Sequence, residues 1–95
     1  MTLPKFLQPC LPSYNLTKLD IKHDKEVIIT QVLNKGNYRA LQWLGKTYSQ
    51  KEIKKVISSP TPGMWLKSIL LYWLKIFNLK LDKKILNRAI LNLRP

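Results

Sequence analysis

The side chains able to attempt nucleophilic or acid–base chemistry are few: one histidine, His23, one cysteine, Cys10, and five carboxylates. General acid–base catalysis needs a donor and an acceptor held around one substrate atom. Here Asp20, Asp24 and Glu26 crowd a single predicted helix start, where carboxylates oppose the positive end of the helix dipole. His23 sits among them, between Lys22 and Asp24, as a solvated first-turn residue. One His and one Cys cannot complete a zinc site within the chain. Gly36, Gly45 and Gly63 stand apart and form no phosphate-cradling loop. The expectation is a protein that is not an enzyme, with no catalytic residues, no metal ligands and no cofactor.

Binding chemistry is better represented. The chain carries 17 Lys+Arg against 5 Asp+Glu, a formal net charge of +12. Residues 1–52 hold 8 basic and 4 acidic side chains; residues 53–95 hold 9 basic and 1 acidic, Asp82. Such a surface attracts nucleic acid, anionic lipid and acidic proteins. Within it, Gln50, Lys51, Lys54 and Lys55 share a short segment after a tight turn. At 100° per residue the three lysines lie opposite Ile53, Val56 and Ile57. In a helix-turn-helix this would be the recognition helix, with Gln reading adenine edges and Lys reaching guanine or phosphate. The same lysines also suit a merely solvated helix face. Arginine is scarce (Arg39, Arg88 and Arg94), so phosphate attraction is favoured over bidentate base reading.

The elements that must carry these residues read as an all-α fold, with an extended N-terminal arm (residues 1–19) and a single helical domain (20–95) of about five short helices. In the arm, Pro4, Pro9 and Pro12 oppose a helix, while Leu3, Phe6, Leu7, Leu11, Tyr14 and Leu16 offer apolar anchors. The first helix is predicted over Ile21–Lys35, capped by Asp20 and closed by Gly36 in the left-handed C′ role. A second starts at Asn37. A third starts at Ser49, where Ser49 and Glu52 have capping-box spacing. A loop follows over Ser58–Gly63. The pair Thr61-Pro62 predicts the start of a fourth helix reaching about Asn78, and Asp82 that of a fifth reaching about Leu93. The centre, formed by the second and third helices, is helix-turn-helix-like.

The fourth helix has an apolar arc of about 200°, against little more than about 100° for an ordinary surface helix. It is therefore expected at the centre of the fold. Trp65, Ile69, Trp73 and Ile76 are expected in the core. Leu66, Leu70, Leu74 and Phe77 form a second edge, to be covered by the fifth helix, by the arm, or by a partner chain. Trp43, Trp65, Tyr72 and Trp73 could stack on bases, but their inward positions favour packing. The longest apolar run, Ile69–Leu74, is far short of the ~20 residues a membrane span needs. A lone cysteine cannot make an internal disulfide, which fits a reducing cytoplasm.

The positions Leu19-Asp20, Ile28-Ile29, Val32-Leu33, Gly36, Leu41, Trp43-Leu44, Tyr48, Ile53, Val56 and Trp65 together resemble a family of small uncharacterised bacterial helical proteins. Members of that family are encoded beside nucleotidyltransferase-like toxins of the abortive-infection type. The resemblance covers Leu19 to Trp73 and implies an antitoxin or regulatory role. The arm departs from the family's pattern, with Phe6-Leu7-Gln8 where Phe-Trp-Asp is frequent. The reading is therefore a small basic non-enzymatic binding module that acts through a partner protein, nucleic acid, or both. A helix-turn-helix transcriptional regulator and an adaptor dimerising through the fourth helix are the alternatives. The partner classes are a nucleotidyltransferase-like toxin, DNA or RNA, and a second copy of the chain. Circular dichroism should show mostly helix; a sheet of three or more strands would defeat this reading.

Overall fold

The hub of the structure is α1, Lys25–Lys35. Ile28, Ile29, Val32 and Leu33 are buried as their spacing predicts, but so are the polar Thr30 and Asn34 on the opposite side. A helix buried on both sides must be packed on both sides. The computed structural model, which describes residues 3–91, surrounds α1 with the arm, α2 (Tyr38–Thr47), α3 (Gln50–Ser58) and α4 (Lys67–Ile76). A last short helix, α5 (Lys83–Ala89), follows. The architecture is all-α, and among the described residues no strand forms beyond one isolated bridge. No helix among them is long and apolar enough to cross a membrane.

The arm folds back on its own domain. Leu3, Leu7, Cys10, Leu11 and Leu16 are buried in the common core, and the radius of gyration of 13.0 Å is that of a packed chain of this length. Its backbone is not simply extended. Lys5–Cys10 and Leu16–Lys18 wind into 3-10 helices. The 3-10 form is used in short pieces and tolerates Pro9, which lacks an N–H. Gln8 holds the exit of the first piece by donating from Nε2 to the carbonyls of Leu11 (2.8 Å) and Tyr14 (3.0 Å).

Local capping sets the helix starts. Asn37 accepts from the Ala40 N–H, and Ser49 and Glu52 form a complete capping box. Asp20 does cap a turn, accepting from the His23 N–H at 2.6 Å. Asp24, however, turns its own carboxylate back onto the Asp20 N–H at 2.8 Å. Residues 21–24 are therefore an irregular turn, and regular helix starts at Lys25, not Ile21. Gly36 is needed for space and not for left-handedness. Its φ is −72°, and a Cβ there would sit 2.4 Å from the Val32 carbonyl oxygen.

The second half corrects three expectations. Thr61-Pro62 does not start a helix. Gly63 takes a left-handed φ of +73°, and the chain then runs extended into the start of α4 at Lys67. Along it, Gly63 N–H donates to Arg88 O (2.8 Å), Trp65 N–H to Ala89 O (2.9 Å) and Leu91 N–H to Trp65 O (2.7 Å). This pairing also stops α5 at Ala89, before Leu93; residues 92–95 lie outside the described part. Ile85 on α5 is exposed. The central helix is α1, not α4. Hydropathy underrates α1 because Thr30 and Asn34 count as polar, and overrates α4 because Tyr72 and Ile76 count as apolar although more than half exposed (54% and 56%).

Asn34 accounts for much of this. Its Nδ2 donates to the Met64 carbonyl (2.8 Å), and its Oδ1 accepts from the Leu66 N–H (3.2 Å). The two bonds bracket Trp65 and seat it at 0% exposure. Asn34→Ala should leave two backbone groups unpaired, at about 1–3 kcal/mol for each that stays buried. Thermal denaturation should show the melting temperature falling by about 4–8 °C per kcal/mol lost.

Candidate functional site

The candidate basic face lies on α3. Its buried side is Ile53, Val56 and Ile57, seated against α1 and α4. That registry places Gln50, Lys51, Lys54 and Lys55 in solvent. The connection from α2 is only Tyr48-Ser49, and both helices pack on α1. The capping box fixes the turn: Ser49 Oγ accepts from the Glu52 N–H (3.1 Å), and Glu52 Oε1 accepts from the Ser49 N–H (3.1 Å). Lys54 extends toward α4, with its Nζ 6.0 Å from the Phe77 ring centroid.

What makes this face electrostatically open is the fate of the acids. Glu52, the one carboxylate on α3, is turned back into the cap. The Ser49 N–H bond, with smaller help from the Ser49 hydroxyl and Lys25, holds its pKa below the ordinary carboxylate value. Asp20 is likewise held low, first by the His23 N–H. Among the described residues the single ion pair is Lys25–Glu52, at 3.7 Å. Among the described residues, Lys51, Lys54 and Lys55 have no carboxylate within ion-pair distance.

The acids instead gather at the other end of the α2–α3 connection, around Tyr48. Its phenol is buried, donates to the Ile21 carbonyl (2.7 Å) and packs edge-on against Trp43. Burial, then the negative charges of Glu52, Asp20 and Asp24, push its pKa up to about 12. A cleft of about 360 Å³ beside it is lined by Ile21, Lys22, Lys25, Thr47, Tyr48 and Glu52. A second hollow, about 400 Å³, lies in the arm between Leu3, Lys5, Gln8, Asn15, Leu16 and Thr17. The two hydroxyls in the cleft donate to backbone carbonyls, Thr47 Oγ1 to Trp43 (2.7 Å) and Tyr48 to Ile21. His23 is exposed with Asp20 bonded to its backbone, and Cys10 is buried, with burial raising its thiol pKa. Among the described residues no three His, Cys, Asp or Glu side chains converge as a metal site.

The expected partner-binding edge of α4 does not survive as a surface. Leu70 (0% exposed) and Leu74 (7%) are core, because α4 turns this side toward α1 and α3. Phe77 is half-buried, and Leu66 is exposed at the helix entrance. Of the residues expected inside, Trp65 is buried, Ile69 and Trp73 are half-buried, and Ile76 is exposed. Trp73 is fixed by donating from Nε1 to the Leu33 carbonyl (3.2 Å). The exposed apolar side of α4 is therefore Leu71, Tyr72 and Ile76, alternating with Lys67, Ser68 and Lys75. Helical periodicity could have separated these two sides only with knowledge of which one met α1.

Residues 7–57 match the profile of a family described as Family of unknown function (DUF6922). The match takes in most of the arm, α1, α2 and nearly all of α3, and stops short of α4 and α5. No curated protein and no solved structure matches the chain.

A tyrosine whose folded pKa is raised stabilises the fold fully below its ordinary pKa and loses that contribution as pH climbs through the folded value. For Tyr48 the window runs from pH 10.0 to about 12. Melting temperature should fall across that interval, and Tyr48→Phe should flatten the fall. Equal slopes in the two proteins would remove Tyr48 as the cause.

Proposed function

The chain belongs to that family of unknown function, and we propose that it is a small non-enzymatic binding module whose α3 lysine face holds the phosphate backbone of a nucleic acid. One observation carries this reading: Lys51, Lys54 and Lys55 project together from a helix whose only carboxylate is held in the cap. Lysine neutralises phosphate as a point charge. In this reading Gln50 at the helix start touches a base edge, and with no arginine on α3 the binding is mainly electrostatic and tolerant of sequence.

The resemblance implies the biological setting, a cytoplasmic antitoxin or regulator beside a nucleotidyltransferase-like toxin. Survey of the genes next to those encoding family members, followed by co-purification with any such toxin, tests that setting. Nucleic-acid contact is tested on the chain itself. The triple variant Lys51→Glu, Lys54→Glu, Lys55→Glu should keep the helical circular dichroism of the parent, because all three side chains are exposed. It should lose binding to DNA and RNA at low salt. Parent binding should weaken with a log–log salt slope of about −0.9 per phosphate contacted on a duplex. Unchanged binding by the triple variant would remove this face from consideration.

A further inference from the structure

A row of aromatic rings leads away from the lysine face. Lys54 Nζ stands 6.0 Å from the Phe77 ring. Phe77 packs on Trp73, with centroids 6.1 Å apart and a tilt of 33°. Trp73, anchored through its indole N–H to Leu33, meets Tyr72 edge-on at 5.0 Å. The first two rings are half-buried, and the last is 54% exposed. The row thus begins at a cation and ends in solvent. Tyr72 is also flanked one turn on by Lys75, at i+3, and one turn back by Ser68, at i−4, both exposed.

An exposed ring held edge-on by a fixed neighbour has little freedom left to lose when another flat group settles on it. Exposed aromatics beside cations are the arrangement that binds single strands: the cations take the backbone, and the rings take unpaired bases of any sequence. A duplex offers only bases already stacked and paired. Its phosphates can reach the lysines, but its bases cannot reach a ring on a convex helix face.

On this ground, and resting on the phosphate-binding reading above, we propose that the preferred ligand is single-stranded nucleic acid, with Tyr72 as the platform on which one base stacks. Lys75 is the phosphate contact beside the platform, and Lys54 the contact that links it to α3. Leu71 and Ile76 give the stacked base an apolar margin.

The test compares a short oligothymidine with a duplex of the same length, by fluorescence anisotropy at low salt, using the full chain. The parent should bind the single strand more tightly and show quenching of tryptophan emission, since Trp73 adjoins the platform. Tyr72→Ala should weaken single-strand binding by about 5- to 150-fold, the worth of one stacked base, and leave duplex binding as it was. Tyr72→Phe, which keeps the ring, should bind as the parent does. Circular dichroism of each variant shows whether the fold is intact; should Tyr72→Ala unfold, Tyr72→Leu, which keeps apolar bulk and removes the ring, should show the same loss of single-strand binding, and its binding as the parent does would overturn the proposal. Loss of single-strand binding in the triple lysine variant but not in Tyr72→Ala would overturn the stacking proposal while leaving the phosphate reading in place. A parent that binds neither ligand would overturn both. A parent that is dimeric by light scattering, becomes monomeric on Tyr72→Ala and binds oligothymidine unchanged would assign this side of α4 to a second copy and overturn the proposal.

Discussion

The Asn34 amide does for residues 64–66 what a neighbouring strand would do. It offers a donor to one carbonyl and an acceptor to one N–H, two residues apart. That spacing is the period of extended chain, so the clasp selects an extended conformation and sends the side chain between its two contacts inward. The side chain is Trp65, the largest fully buried residue. Its backbone in turn pairs with Ala89 and Leu91, which holds the end of α5. A single polar residue on the least apolar side of α1 thus decides where the C-terminal third of the described chain goes. Burying an amide is costly unless both its ends are satisfied, and here both are.

Charge is organised by the same economy of local bonds. Asp20, Asp24 and Glu52 accept backbone N–H groups at helix starts, and all three lie close enough to Tyr48 to raise its pKa. Of the three, only Glu52 also reaches a lysine, Lys25 at 3.7 Å. With 17 basic residues in the sequence and one ion pair among the described residues, the positive charge stands largely uncompensated. At net +12 this field costs some self-repulsion in the folded state and gives long-range attraction to polyanions in return. The field attracts polyanions generally and does not by itself choose among them.

How far the sequence speaks for the structure varies along the chain. The starts of α2 and α3 were legible because capping residues act within one turn: Asn37, and Ser49 with Glu52, meet their partners three residues on. The lysine face of α3 was legible for the same reason, since a short amphipathic helix has one way to bury three aliphatic residues. The centre of the fold was not. Thr30 and Asn34 are buried by segments far along the chain, and no local pattern marks them. The beginning of α4 is not legible, because Thr61-Pro62 is a good helix start in isolation and the pairing of residues 63–65 with 88–91 overrides it. The two sides of α4 were interchanged in part: Leu70 and Leu74 are inside and Ile76 outside. An apolar arc wider than one packing face leaves its own orientation open. The aromatic row went unread because it joins α3 to α4 through space.

The pairing of residues 63–65 with 88–91 also bears on how the molecule opens. The contacts that gather the arm, α2 and α3 on α1 join segments near one another in sequence, and such contacts form early and cheaply in entropy. The tether of α5 closes a loop of more than twenty residues with a few backbone bonds, and α5 itself buries only Ala89 completely. Cooperative units in a protein differ in their opening free energies, and the one with fewest buried contacts opens first. In this chain that unit is α5 with its tether. Its excursions would leave the α1 hub standing while uncovering the backbone of Trp65.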